Sequence, residues 1–354
     1  MLETLLESWG DGTVLAAAGL LTGLIFGVAA QHSRFCLRAA TTEVADAHPA
    51  DRMAIWLIAF FAALLATQAA VLAGILDVSS ARQLAATGSL SGAIIGGLMF
   101  GAGMILARGC ASRLLVLSGT GNMRALIAGL VVTLVAQASY RGILAPAREW
   151  VAGLWTIPGG VDRDLMVIFG LSRTGVILIG VSGLILGIVM AFRHQVPLTR
   201  MIAGVFVGLA VALGWLLTWM IASTSFEVVP ISSVTFTGPS TDTLMALVAE
   251  RTIALNFGIG LVPGVFLGSA LMAVITREWK IQRFGADTPM ERYLVGAVMM
   301  GFGAMLAGGC AVGAGVSGGA ILSLTAWIAV ASMWVGAVLT IFVMNIFQTS
   351  VTPA

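Results

Sequence analysis

The chain has 354 residues, 59% of them apolar and only 10% charged, with 18 Lys plus Arg against 16 Asp plus Glu. A soluble domain carries about 25% charged residues, so this composition excludes a water-facing globule and reads as an all-α polytopic membrane protein lying in a lipid bilayer. A net charge of +2, with no Lys/Arg run and no zinc-spaced Cys/His set, excludes nucleic acid as a partner.

The first twelve residues carry Glu3, Glu7 and Asp11 and no basic residue. They lack the positive flank of a cleaved signal peptide, so the first apolar segment is expected to stay in the mature protein. A hydrocarbon core about 30 Å thick takes roughly 20 residues of helix. About nine uncharged stretches approach that length: 13–30, 53–76, 90–107, 125–139, 174–192, 201–222, 252–276, 293–307 and 320–347. Those at 125–139 and 293–307 are short for a full crossing, and the last is long enough to tilt or bend. The connecting segments alternate in charge, one set holding twice the Lys and Arg of the other. The positive-inside rule then places the N-terminus outside, in the periplasm, and the C-terminus in the cytoplasm.

Glycines are spaced by four at Gly19/Gly23/Gly27 and Gly204/Gly208, which lets helices pack closely. A longer pattern recurs: residues 96–110 read GGLMFGAGMILARGC and residues 296–310 read GAVMMGFGAMLAGGC. Gly96/Gly296, Met99/Met299, Gly101/Gly301, Gly103/Gly303, Leu106/Leu306, Ala107/Ala307, Gly109/Gly309 and Cys110/Cys310 coincide. The two copies lie in stretches five apart, an odd number, so they cross in opposite directions. An inverted repeat follows, with a first half over 1–150, a connector with an extra span over 151–194 and a second half over 195–354. Residues 308–319 are half glycine yet uncharged. Backbone of that kind at membrane depth is tolerated only when buried in protein or lining a cavity, so short re-entrant helices are expected at these turns.

Cys36, Cys110 and Cys310 are the only cysteines. None forms a C-x-x-C pair, which argues against disulfide exchange, and His32, His48 and His194 are not spaced with them as a metal set; no cofactor is expected. A lone buried cysteine is more often a small hydrophobe, but here all three sit in polar or glycine-rich breaks. Arg34 and Arg38 flank Cys36, and Arg108 and Arg113 flank Cys110, surroundings that suit an anion with soft sulfur atoms. The same arginines equally suit a cytoplasmic face. Beside Cys310 only backbone amides of the glycine turn are available. Among polar residues inside spans, Gln68, Thr133, Gln137 and Asn345 suit interhelical hydrogen bonds, and Asn256 is held as an additional ligand. Pro263 is expected to kink its helix, and Trp9, Trp56, Trp150, Trp155 and Trp279 to mark interfaces. The stretch 140–173 reads as a connector and the Ser/Thr-rich stretch 223–250 as an extracytoplasmic loop. No acidic residue lies inside a span to relay protons.

The segment Arg34-Phe35-Cys36, the pattern ending at Cys110 and its second copy ending at Cys310 resemble the YeeE/YedE family of sulfur-transport membrane proteins, and more closely its thiosulfate-uptake members of the TsuA type. The likeness covers essentially the whole chain. It implies a pseudo-symmetric helical protein of the bacterial inner membrane that imports thiosulfate and is not an enzyme. It also implies that Cys36, Cys110 and Cys310 hand the anion along through weak S–H hydrogen bonds, with Gly109, Gly309, Arg34 and Arg108 in support. A small cytoplasmic TusA-like sulfurtransferase is the partner it suggests. Two alternatives stay open: a membrane-embedded sulfurtransferase that takes sulfur covalently on a cysteine, and transport of sulfite or a selenium compound.

Overall fold

The structure, a computed structural model, describes residues 2–48, 50–283 and 290–349, with side chains through 346. Helices α1 (Leu2–Trp9) and α2 (Asp11–Ser33) lead into α3 (Leu37–Ala45) and α4 (Asp51–Leu72). A short α5 (Arg82–Ala85) precedes α6 (Leu90–Leu106), α7 (Ala111–Gly119) and α8 (Met123–Arg141). The connector holds α9 (Ala145–Gly153), α10 (Leu165–Ile168) and α11 (Arg173–Arg193), with a small antiparallel pairing of Gly88–Ser89 and Thr156–Ile157. Then come α12 (Leu198–Thr224), α13 (Thr237–Val248), α14 (Phe257–Ile275), α15 (Met290–Leu306), a π-helix over Ala311–Gly318 and α16 (Leu324–Thr349).

Among the described residues nine helical segments are long and apolar enough to cross a membrane. They match the nine uncharged stretches, with one systematic difference. The two stretches that read as short become full helices by adding a charged end: α8 takes in Arg124 and Arg141, and α15 takes in Glu291 and Arg292. A charged side chain at a helix end reaches back to the interface, so a charge ends the uncharged window without ending the span.

The glycines show which way the helices run. A Cβ on Gly103 would meet the Gly296 carbonyl at 2.6 Å, and one on Gly96 would meet the Gly303 carbonyl at 2.6 Å. As the position on α6 rises, its partner on α15 falls, so the two helices are antiparallel. The contact is also reciprocal, because Gly96 faces the Ala307 amide and Gly296 faces the Ala107 amide at nearly equal distances. An interface in which i meets j and j meets i is what a twofold axis produces. Gly23 and Gly27 of α2 instead face Leu261 and Val265 of α14 in rising order, so those helices are parallel. Both arrangements agree with nine spans of alternating direction. With lipid as apolar as leucine, this close backbone approach through glycine is the main attraction between such helices.

Three expectations need correction. The stretch 223–250 is not a simple external loop: Val234 and Phe236 are fully buried and α13 follows them. Its hydroxyls made it read as watery, but Ser233 donates to the Val211 carbonyl and Thr218 to the Ser232 carbonyl, so these hydroxyls face carbonyls rather than water. Trp56 marks no interface; it is buried, stacked on Phe60 with ring centroids 5.2 Å apart. Span 252–276 begins only at Phe257, where the Asn256 side chain caps it. Helix α14 runs on through Pro263 to Ile275.

The α6–α15 crossing gives a direct prediction. Gly303→Val would press a side chain into the Gly96 carbonyl, 2.7 Å from the added Cβ, and should cost about 1–3 kcal/mol or more by overpacking. Gly153→Ala, with open space around it, should be silent. Thermal unfolding of the purified protein in detergent separates the two.

Candidate functional site

All three cysteines sit in the same backbone device, although only two shared a sequence pattern. In each, a helix closes with an amide bonding back five residues: Phe35 to the Ala30 carbonyl, Gly109 to Met104 and Gly309 to Ala304, at 3.2, 3.1 and 2.9 Å. The residue before that amide is left-handed: Arg34 at φ 56°, Arg108 at φ 55° and Gly308 at φ 79°. This is the Schellman closure, in which the left-handed position favours glycine and is held here twice by arginine. The cysteine follows in extended conformation and caps a new helix, its carbonyl accepting from the amide four residues on: Ala40 at 3.2 Å, Leu114 at 2.9 Å and Ala314 at 2.8 Å. Each thiol therefore stands at a helix N-terminus, where unpaired amides and the helix dipole favour negative charge.

The three thiols differ in surroundings. Cys36, Cys110 and Cys310 are all buried and free of disulfides. The Cys110 sulfur is 3.3 Å from the Ser112 hydroxyl. The Cys310 sulfur accepts from the Gly313 amide at 3.5 Å. Helix α7, which starts at Cys110, touches the π-helix that starts at Cys310, so the two copies meet inside the protein.

The turn after Cys310 is buried along its whole length, and its carbonyls are met one by one. The Trp215 indole donates to the Ser317 carbonyl, the Trp327 indole to Gly319 and the Gln68 amide to Ala320, at 3.3, 3.3 and 2.8 Å. The Ser317 hydroxyl donates to the Val234 carbonyl at 2.6 Å. Non-helical backbone is stable at this depth because protein donors replace water. Gln68, read from sequence as an interhelical bonding residue, does this on the re-entrant turn.

Two basic regions lie at opposite ends of α6, a helix about 26 Å long by its 17 residues. At its C-terminal end a cavity of about 530 Å³ is lined by Arg34, Cys36, Arg38, Arg52, Arg108, Arg113, Gln31 and Glu278. At its N-terminal end two smaller cavities of about 270 and 300 Å³ hold Arg82 and Arg148, border Gly308, and reach Arg163 and Gly309 respectively. Arg163 is buried, donating to the Ala86 carbonyl and the Thr325 hydroxyl, while its Nε has no partner. Burial, with the Arg82 charge beside it, holds this guanidinium below its ordinary pKa, though arginine has ample margin to stay protonated.

Of the residues singled out from sequence, Cys36, Arg34 and Arg108 share the larger cavity, and Gly309 lines a smaller one beside Cys310. Gly109 is the closing residue of the Cys110 turn, where a Cβ would press on Leu114. Asn256 is not gathered with them: it caps α14, accepting from the Ile259 amide at 3.0 Å, about 28 Å along that helix from Glu278. A side chain that reads as a buried ligand is thus an exposed N-cap, as Asn commonly is. Sequence reasoning missed Arg52, Arg82, Arg148, Arg163 and Glu278. They come from connecting segments far apart in the chain, and the signal available was only that Lys and Arg cluster there.

Residues 32–339, which span all three cysteine turns, match a protein family described as Sulphur transport. The Thiosulfate transporter TsuA of Escherichia coli (strain K12) is 26% identical over 355 residues, covering 90% of this chain and 92% of that protein. The Thiosulfate transporter TsuA of Spirochaeta thermophila is 26% identical over 325 residues, covering 88% and 93%.

Cavity access orders the thiols. A negatively charged thiol reagent should modify Cys36, which lines the arginine-rich cavity, at least about tenfold faster than Cys110 or Cys310. Peptide mass spectrometry after timed labelling checks this, and fastest labelling at Cys310 from both faces would contradict it.

Proposed function

We propose thiosulfate as the cargo of this chain, which belongs to the Sulphur transport family and is a multi-pass membrane transporter rather than an enzyme. Both relatives at 26% identity carry the name thiosulfate transporter. The observation that carries the reading is the threefold recurrence of one turn, each placing a thiol at a helix N-terminus, between two arginine-lined regions at opposite ends of α6.

The chemistry of the ion suits that arrangement. Thiosulfate is a small dianion with three oxygens and one soft terminal sulfur. Arginines at either mouth attract its charge, and guanidinium groups bond its oxygens in pairs. Inside, a thiol is a weak donor and a soft partner, so each station admits the ion without trapping it. Helix dipoles at the three N-termini supply the remaining electrostatic support without placing a full charge at the midplane.

In this reading the ion enters at Arg82, Arg148 and Arg163, passes Cys310, then Cys110 and Cys36, and leaves through the larger basic cavity. The alternation of Lys and Arg supports taking that cavity as cytoplasmic, with the N-terminus periplasmic and the C-terminus cytoplasmic, and the family likeness supports a bacterial inner membrane. Residues 1–150 and 195–354 serve as inverted halves, with α11 an added span in 151–194. A small cytoplasmic TusA-like sulfurtransferase would consume the imported sulfur.

Uptake of labelled thiosulfate by cells without other importers tests this. At equal membrane abundance, Cys36→Ser, Cys110→Ser and Cys310→Ser should each lower uptake about tenfold, the effect of losing one station worth roughly 1–1.5 kcal/mol. Normal uptake by all three variants would overturn the cysteine path, and no uptake by the intact protein would overturn the cargo.

A further inference from the structure

The larger basic cavity contains one group of the wrong sign for an anion path. Five of its lining side chains are arginines, Arg34, Arg38, Arg52, Arg108 and Arg113, and one is the carboxylate of Glu278. Both oxygens of that carboxylate are engaged. Arg34 Nη2 donates to Oε1 at 3.0 Å, and Gln31 Nε2 donates to Oε2 at 3.0 Å. Gln31 in turn accepts from Arg113 Nη1 at 3.4 Å, so the carboxylate is linked to an arginine three residues from Cys110.

Glu278 is held there by its backbone. Helix α14 ends at Ile275, Arg277 turns left-handed at φ 57°, and the Glu278 amide bonds back to the Ala273 carbonyl at 2.8 Å. The following strap is tied to the turn between α7 and α8. The Lys280 amide bonds to the Thr120 carbonyl, the Gln282 amide to Gly121 and the Met123 amide to Gln282, at 3.2, 2.9 and 3.0 Å. Asn122 Nδ2 adds a bond to Gln282 Oε1 at 2.7 Å. A fixed strap thus presents a carboxylate at the mouth of the Cys36 cavity. The Arg34–Glu278 pair is still about 40% exposed, so water and ions reach it and an arriving anion is able to exchange with it.

We propose that Glu278 is a tethered competitor for the cargo, an affinity-setting residue that holds the place of an anion among these arginines and so speeds release. This rests on the reading of thiosulfate as cargo. Five arginines around a dianion would bind it tightly, while conduction needs a site weak enough to empty. A resident carboxylate lowers the net charge of the cavity and occupies Arg34 and Gln31 until cargo displaces it. When cargo departs, the carboxylate returns to the same donors, so they are never left without a partner.

The test uses the full-length protein in lipid nanodiscs and proteoliposomes, with thiosulfate as the probe. Glu278→Gln removes the charge and keeps the shape. It should bind thiosulfate about three- to tenfold tighter, with half-saturation of uptake and maximal rate both falling. A merely structural ion pair would leave the affinity unchanged. Where Glu278→Gln does not accumulate, Glu278→Asp, which withdraws the carboxylate by one methylene, should shift affinity in the same direction by a smaller factor. Unchanged or weaker binding by the folded variant, with normal binding by the intact protein, overturns the role of Glu278 alone. Absence of thiosulfate binding to the intact protein overturns the cargo reading, and this inference with it.

Discussion

A peptide group that leaves a helix inside hydrocarbon keeps its polarity and loses its water. Each unmet group there costs several kcal/mol, so a membrane protein breaks a helix at depth only if the protein supplies the missing partners. Three breaks of this kind organise the molecule, and each ends in a cysteine. The closing amides of Phe35, Gly109 and Gly309 and the re-opening carbonyls of Cys36, Cys110 and Cys310 absorb most of the disruption within a few residues. What remains at the Cys310 turn is taken up by Trp215, Trp327 and Gln68, while the turn's own Ser317 hydroxyl meets the Val234 carbonyl. A helix that stops and restarts within protein leaves an N-terminus pointing inward, and the thiol sits there.

The glycines follow from the same constraint. For α7 and the π-helix to meet, the helices that carry them must approach almost to backbone contact, and the α6–α15 crossing does so through Gly96, Gly103, Gly296 and Gly303. Only one side of that symmetry is charged. Where the Cys110 copy has Arg108 and Arg113, the Cys310 copy has Gly308 and Gly313, and the Thr235 side chain fills the space at Gly313. Charge at the Cys310 end is supplied instead from outside the repeat, by Arg82, Arg148 and Arg163. A twofold backbone therefore carries an asymmetric field, with more positive charge at the end where Cys36 lies.

Much of this was legible in the amino-acid order. A run of uncharged residues is a direct record of a span, so the nine could be counted, and the Gly/Cys pattern at offset 200 disclosed that α6 and α15 run in opposite directions, though not that they cross in contact. Cys36 could be tied to the other two only through a family resemblance, because its turn shares backbone geometry with them but not residue types: Arg34-Phe35 stands where the second copy has Gly308-Gly309. Glu278 and the arginines of the connecting segments were illegible for a different reason. Their role depends on which loops fold to the same end of the bundle, and nothing local records that. The stretch 223–250 misled because hydroxyl-rich sequence looks the same whether its oxygens face water or carbonyls, and Asn256 because a cap and a ligand are the same residue type.

In the proposed path the thiols hold the anion without taking sulfur from it. Thiosulfate has two chemically distinct sulfurs, and an ion passed along weak hydrogen bonds keeps both, whereas a covalent sulfurtransferase separates them. The most direct measurement loads proteoliposomes of the intact protein with nothing but buffer and offers thiosulfate labelled at the terminal sulfur or at the central sulfur in parallel. Equal accumulation of the two labels, with no sulfur added to any cysteine by intact-protein mass, is the predicted result. Accumulation of the terminal label alone, with a persulfide on Cys36, Cys110 or Cys310, would contradict it.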